Sequence, residues 1–322
     1  MHEPFGPFRL LARLGRGGMA ETFVAERSGR AGFVQRVCLK RVLATRAKDP
    51  QYVRRFQDEA RLAALLRHPN VVSLYDFGCH AGTWWQALEL VDGVDLDVVV
   101  HRMRASGEPL PVDVVLYIAA ELSKALAYAH ELRHVDGAPA RVVHRDVSPS
   151  NVLISYDGAV KLADFGIAKI DAAERTESGG ARGKVSYTAP EQALGMHEDR
   201  RADLFALGVV LFELFSGGVR PFDGLSDLAT FRNTVEGRRH DLREVAPHLP
   251  EPVVALVDGL LATERHARTA TADDVLDALG AMQVSAVAAR DLARRVRASK
   301  PPVAIPTEGE LTRPDPPHRA SP

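Results

Sequence analysis

H-R-D-V-S-P-S-N occupies His144–Asn151, and D-F-G follows at Asp164–Gly166. The first stretch puts a carboxylate, Asp146, and a carboxamide, Asn151, on one tight loop. The second puts another carboxylate, Asp164, at the end of a short apolar run. One carboxylate able to orient a hydroxyl, beside oxygen ligands for a hard cation, is the set that phosphoryl transfer requires. No Cys/His cluster has the spacing of a zinc site. Of the 12 histidines only His144 has a motif around it, and packing within its loop is its expected role.

The bulk of the chain narrows the remaining choices. Its 322 residues suffice for one large domain or two lobes with a substantial core. A net charge of −1 gives no basic footprint for nucleic acid, so no nucleic-acid partner is expected. The 2 cysteines, Cys38 and Cys79, form no disulfide framework and fit a reducing compartment. M-H-E-P-F-G-P-F at the start lacks the regions of a signal peptide. No apolar run reaches the roughly 18 residues of a membrane helix. A cytoplasmic protein with no membrane span is expected.

Periodicity changes along the chain. Phe8 to Leu14, Thr22 to Arg27 and Gln35 to Val42 read as strands separated by Gly-bearing turns. Tyr52, Phe56, Ala60, Ala63 and Ala64 recur at helical spacing, and His68-Pro69 closes that segment. Strands fit again at Val71 to Asp76 and Thr83 to Leu90. Helices are expected over 112–132, 203–216, 225–236, 251–262 and 272–282, interrupted by short strands around 141–164. A small sheet-rich part followed by a larger helical part is an α+β arrangement. Residues 281–322 read as a basic helical extension and a Pro-rich, disordered tail that builds no core.

Two further patterns lie upstream of the opening motif. G-R-G-G-M-A at Gly15–Ala20 connects two expected strands, and glycines let a backbone approach phosphate oxygens closely. V-C-L-K follows at Val37–Lys40, and strand alternation sets Cys38 and Lys40 on one face towards a common cleft. Such a lysine needs a carboxylate to hold it, and Glu59 in F-Q-D-E-A-R has a suitable place on the next helix.

Taken in order, these motifs resemble those of protein kinases of the bacterial, eukaryotic-like Ser/Thr type, from about Phe8 to Met282. The resemblance implies a bilobal kinase-like fold over 8–280, with an N-lobe at 8–90 and a C-lobe at 91–280. It implies ATP and Mg²⁺ as cofactors and protein substrates as partners. Leu14, Gly15, Gly17, Thr22 and Cys38 would line the nucleotide, and Lys40, held by Glu59, would pair its phosphates. Leu88 would back the adenine pocket, Leu153 would floor it, and backbone groups from Glu89 to Val91 would bind the adenine edge. Asp146 would take the hydroxyl proton, while Asn151 and Asp164 would hold the metal. Ala189-Pro190-Glu191 matches a further family motif, with Arg268 as partner of Glu191 and Asp203 bracing the catalytic loop. Arg145 would dock an activation loop phosphorylated at Thr176 or Ser178, with dimerisation serving autophosphorylation in trans.

The chain departs from the family pattern in ways that matter. Ala20 replaces a glycine and Thr22 a valine. Ser148 stands where Ser/Thr kinases carry a lysine, and Lys184 stands where they carry a threonine. The resemblance implies that these positions face each other across Asp146, so Lys184 would supply the missing cation and Ser148 the hydroxyl. A nucleotide-binding pseudokinase scaffold is the competing class, opposed by the presence of Lys40, Asp146, Asn151 and Asp164 together. Small-molecule kinases lack the A-P-E segment with Arg268. Tyrosine kinases carry Ala- or Arg-containing catalytic loops and a Trp before A-P-E, where this chain has Tyr187-Thr188.

Overall fold

Alternating burial builds the first sheet. Along β2 (Phe8–Arg16) Phe8 and Leu10 are buried while Arg9 points outward. β1 (Glu3–Phe5), β3 (Ala20–Ser28), β4 (Val34–Val42), β5 (Leu74–His80) and β6 (Thr83–Leu88) complete a six-stranded antiparallel sheet. Its strand order is β1-β2-β3-β4-β6-β5. Helix α1 (Pro50–Ala63) starts where the Asp49 carboxylate accepts a hydrogen bond from the Gln51 amide, with Pro50 in the first turn. It lays Phe56 and Ala60 against the sheet. The computed structural model describes residues 3–18, 20–134, 136–165, 184–282 and 285–299.

The strand expected from Val71 begins only at Leu74 and runs on to His80. The reason lies in a second sheet, β7 (Gly93–Asp95), β8 (Val152–Ser155) and β9 (Val160–Leu162). Val71 forms an isolated parallel bridge to Leu162 of β9. The Leu162 amide donates to Asn70 O at 2.8 Å, and the Val72 amide to Leu162 O at 3.0 Å. The Asn70 carboxamide adds a bond to Val160 O at 2.9 Å. The backbone of Asn70–Val72 is thereby spent on the helical lobe. β7 and β8 approach so closely that a Cβ on Gly93 would sit 2.0 Å from Ile154 O.

Helices fill the rest. They are α2 (Leu96–Ser106), α3 (Val112–His130), α4 (Pro190–Ala193), α5 (Arg201–Phe215), α6 (Asp227–Glu236), α7 (Leu242–Val245), α8 (Glu251–Leu260), α9 (Ala272–Ala281) and α10 (Ala288–Ser299). Sequence reading did not anticipate α2. Its signals are nonetheless local: Asp95 caps it by accepting from the Val98 amide at 2.9 Å, and Gly107 ends it with φ 70°. α5 is buried on every side from Ala202 to Phe215 and forms the axis of the main core with α3 and α8. The result is the expected α+β pair of lobes. The basic extension contains α10, whose Ala288, Leu292, Ala293 and Val296 are buried against the helical lobe.

Candidate active site

The cleft side of the first sheet is set by register. β4 pairs with β6 so that Cys38 faces Leu88 and Lys40 faces Gln86, and with β3 so that Lys40 faces Thr22. Directly opposed residues share a face. Lys40 therefore projects beside α1. Its Nζ donates to Glu59 Oε1 at 2.8 Å and to Asp164 Oδ1 at 2.7 Å. Burial works against its charge, yet the Asp164 and Glu59 carboxylates outweigh that and hold its pKa well above the usual lysine value. Burial and the Asp164 charge push the Cys38 thiol up to about 12, against the pull of Lys40.

The glycine-rich turn joins β2 to β3. Gly15 lies opposite Thr22, whose hydroxyl reaches Gly15 O at 3.5 Å, and the Gly17 amide closes on Ala20 O at 2.8 Å. Leu14 is 47% exposed at the approach to the turn. Leu88 and Val91 are half-buried along the connection between the lobes, and Leu153 is half-buried on β8. The Glu89 carboxylate turns away from the cleft. It pairs with Lys161 at 2.8 Å and accepts from the Ser73 amide at 3.3 Å.

The loop before β8 holds the other half of the site. Asn151 Nδ2 donates to Asp146 O at 2.7 Å and to Asp146 Oδ2 at 2.8 Å. Both partners are acceptors, so the amide orientation is fixed and Asn151 Oδ1 faces elsewhere. The Ala163 amide donates to Asn151 O at 2.8 Å, which sets Asp164 next to the Asn151 loop. His144 is fully buried. Its Nδ1 accepts from the Asp146 amide at 3.2 Å, so Nε2 carries the proton and donates to Ala163 O at 3.0 Å. Burial holds its pKa below the usual histidine value. Its ring centroid lies 4.5 Å from that of Phe165. Ser148 is buried, with its Oγ 3.1 Å from Ser150 Oγ. The Lys184 side chain lies outside the described residues, as do Thr176 and Ser178.

Asp203 on α5 carries the loop backbone. Its Oδ2 accepts from the His144 amide and its Oδ1 from the Arg145 amide, both at 2.8 Å, and His130 Nε2 lies 2.8 Å from Oδ2. Burial alone would raise its pKa, but these bonds and His130 leave it below the usual range. Arg145 has φ 67° and Asp164 φ 56°, left-handed backbone that side chains rarely adopt. Such positions cost on the order of 1–3 kcal/mol each and persist only when the surroundings over-determine them. Here Asp203 fixes one and Lys40 contacts the other. The Arg145 guanidinium forms an ion pair with Glu198 at 2.6 Å, a partner the motifs did not signal. Glu191 and Arg268 meet at 2.7 and 3.1 Å, and Arg268 also donates to Ala262 O, Arg201 O and Thr263 O. Tyr187 donates to the buried Glu213, which also holds Arg104. His130 and Glu213 sit in ordinary helical sequence, so no motif could have marked them.

The oxygens of Asn151 and Asp164 fit a hard cation that keeps phosphate oxygens in its shell, since a neutral amide and one carboxylate are too few for a cage made of protein alone. Asp164 already meets one cation, Lys40, at this place.

Known proteins are similar to this chain in sequence and fold. The protein kinase domain profile matches residues 8–279. Tyrosine-protein kinase MasK of Myxococcus xanthus is 41% identical over 278 residues, covering 86% of this chain and 43% of that protein. Serine/threonine-protein kinase PrkC of Bacillus subtilis is 33% identical, over 84% of this chain and 39% of that protein. Serine/threonine-protein kinase PknE of Mycobacterium tuberculosis is 34% identical, over 93% and 50%. The chain thus spans half or less of the length of these curated relatives. The crystal structure of the Mycobacterium tuberculosis PknI kinase domain (C20A mutant) superposes with a TM-score of 0.63 at 30% identity, covering 87% of this chain and 97% of that one. The chain belongs to the protein kinase family.

Proposed function

We propose that this chain transfers the γ-phosphoryl group of Mg²⁺–ATP to serine or threonine hydroxyls of protein substrates, including its own activation loop. The carrying observation is the Lys40–Glu59–Asp164 ion cluster beside the Asn151-held carboxylate of Asp146. Mg²⁺–ATP would bring a phosphoryl group whose charge is already partly neutralised. The residues here do the rest. Lys40 would hold the phosphates, with Glu59 keeping its ammonium in the cleft. Asn151 and Asp164 would hold the cation. Asp146, turned by the Asn151 amide, would orient the acceptor hydroxyl and take its proton as the new oxygen–phosphorus bond forms and the bond from the γ-phosphorus to the bridging oxygen breaks, leaving ADP. Leu14, Gly15, Gly17, Thr22, Cys38, Leu88, the Glu89 and Val91 backbone, and Leu153 would enclose the nucleotide. A full set of these groups argues against a pseudokinase scaffold.

PrkC and PknE, named serine/threonine-protein kinases, support the choice of acceptor. The name of MasK favours a second reading, in which tyrosine is the acceptor. Ser148 fits that reading too, because the lysine typical of Ser/Thr kinases is absent there. Activity in the cytoplasm is part of the proposal. Among the described residues no helix is long and apolar enough to cross a membrane, and Cys38 and Cys79 are free thiols. Incubation with γ-labelled ATP and a generic protein, followed by phosphoamino-acid analysis, tests the assignment. Phosphoserine or phosphothreonine is expected. Label confined to tyrosine would install the second reading, and nucleotide binding without transfer would install the scaffold.

A further inference from the structure

Helix α10 (Ala288–Ser299) lies beyond the stretch that the kinase profile matches, yet it touches the elements that frame the nucleotide cleft. It packs on α2, α3, β7 and β8, and buries Ala288, Leu292, Ala293 and Val296. Its first turn covers Gly158, the turn between β8 and β9. A Cβ there would lie 2.3 Å from Ala289 O and 3.4 Å from the Ala293 Cβ, and Gly158 has φ 90°. The same turn is held from the other side, since the Tyr117 hydroxyl donates to Gly158 O at 3.2 Å. At the far end of the helix Arg297 meets Asp157 at 2.9 Å, and Arg102 of α2 reaches Ser299 Oγ at 3.4 Å.

What this turn connects gives the contact its meaning. β8 begins directly after Asn151 and carries Leu153, and β9 ends two residues before Asp164. The Tyr156 amide donates to Asp92 O at 2.9 Å, which ties the same hairpin to the chain just past Val91. β9 is only 3 residues long, too short to hold its own position against solvent. Opening of such a unit is governed by the apolar cover it has: α3 covers β9, and α10 covers β8 and the Gly158 turn that joins the two strands.

We propose that α10 is a positioning element of the nucleotide site. By seating the Gly158 turn against α3 it fixes the separation of Leu153, Asn151 and Asp164 from the Glu89–Val91 connection. Residues outside the recognised catalytic domain thereby set ATP affinity. The inference rests on the reading that ATP binds between the lobes.

The test uses the full chain and a fluorescent ATP analogue. Leu292→Glu places a charge in the α10 interface and is expected to weaken analogue binding at least about tenfold, some 1.4 kcal/mol. Amide exchange should rise across 152–162 and stay low in α5. Leu292→Met keeps the volume and should keep wild-type affinity. Leu279→Ala, a buried change in α9, should lower the melting temperature without weakening binding. Wild-type affinity in folded Leu292→Glu would overturn the proposal, as would an equal loss in Leu279→Ala. If Leu292→Glu does not fold, Leu292→Ala decides: raised exchange over 152–162 with weaker binding supports the proposal, and unchanged binding overturns it. A wild-type chain that binds no analogue would overturn the reading of the site itself, and the inference with it.

Discussion

Lys40 joins two carboxylates that come from different lobes: its Nζ lies 2.8 Å from Glu59 on α1 and 2.7 Å from Asp164 beyond β9. One ammonium thus reports whether α1, β4 and the Asp164 segment are all in place. Glu59 and Lys40 are largely buried, while the Asp164 side chain is 48% exposed. Asp164 is the partner with room to take another cation.

Lys40→Met and Asp164→Ala should each leave a folded chain and lower turnover on the order of 10²–10³-fold, the usual effect of losing one charge-stabilising group. Steady-state transfer with Mg²⁺–ATP measures it. Near-normal turnover in Asp164→Ala would refute the metal-binding role proposed for Asp164.

The Glu191–Arg268 pair is buried, and Arg268 is also held by three carbonyls. Arg268→Ala strands the Glu191 charge and should cost about 3–5 kcal/mol in urea unfolding. Arg268→Lys cannot keep the two-pronged contact and should recover only part of it. A loss below about 1 kcal/mol in Arg268→Ala would show that water or another cation rescues Glu191.

Acid should destabilise the chain through His144. Its folded pKa is depressed below 6.5 by burial, so the unfolded chain binds a proton first as pH falls. Stability is full above about pH 6.5 and declines below it, down to the folded pKa. The buried Asp203 carboxylate, also depressed, adds a loss at lower pH still. Melting curves at pH 7.5 and 5.5 should differ more for wild type than for His144→Gln. Equal differences would assign the acid sensitivity elsewhere.

Cys38 should be an inert thiol. With its pKa pushed up to about 12, almost none of it is thiolate near neutrality. Cys38→Ala should keep activity, and an alkylating reagent should label the exposed Cys79 first. Preferential labelling of Cys38 would contradict the environment described for it.

The exchange of roles expected between Ser148 and Lys184 makes a kinetic prediction. Lys184→Ala should lower kcat by about tenfold or more, a little over 1.4 kcal/mol, with a smaller effect on ATP affinity. Ser148→Lys combined with Lys184→Thr should recover much of that loss. Full kcat in Lys184→Ala would refute the exchange.

The candidate site was legible because its chemistry is written in local runs. Asp146 and Asn151 share one loop, and Lys40 sits on a strand whose alternation is visible. What stayed hidden depends on distant partners. Val71 looks like a strand residue, and only the pairing of Asn70–Val72 with β9 explains why β5 starts later. Glu198 and His130 lie in unremarkable sequence and gain meaning from Arg145 and Asp203. α2 was missed although Asp95 and Gly107 mark both its ends and Leu96, Val99, Val100 and Met103 fall at helical spacing, because its run of three valines, Val98 to Val100, reads equally well as strand. α10 shows a strong amphipathic pattern, but the pattern cannot say which surface it covers.

α5 is buried from Ala202 to Phe215, and Asp203 sits in its first turn. Adding or deleting one residue there would turn everything beyond the change by about 100° and shift it by about 1.5 Å. A surface helix absorbs such a slip by exchanging one polar face for another, whereas α5 has only packed neighbours to meet. Families tolerate drift in length where the chain runs past solvent, as at Ala81-Gly82 between β5 and β6. The helix that carries Asp203 should keep its residue count even where its side chains are exchanged one for another.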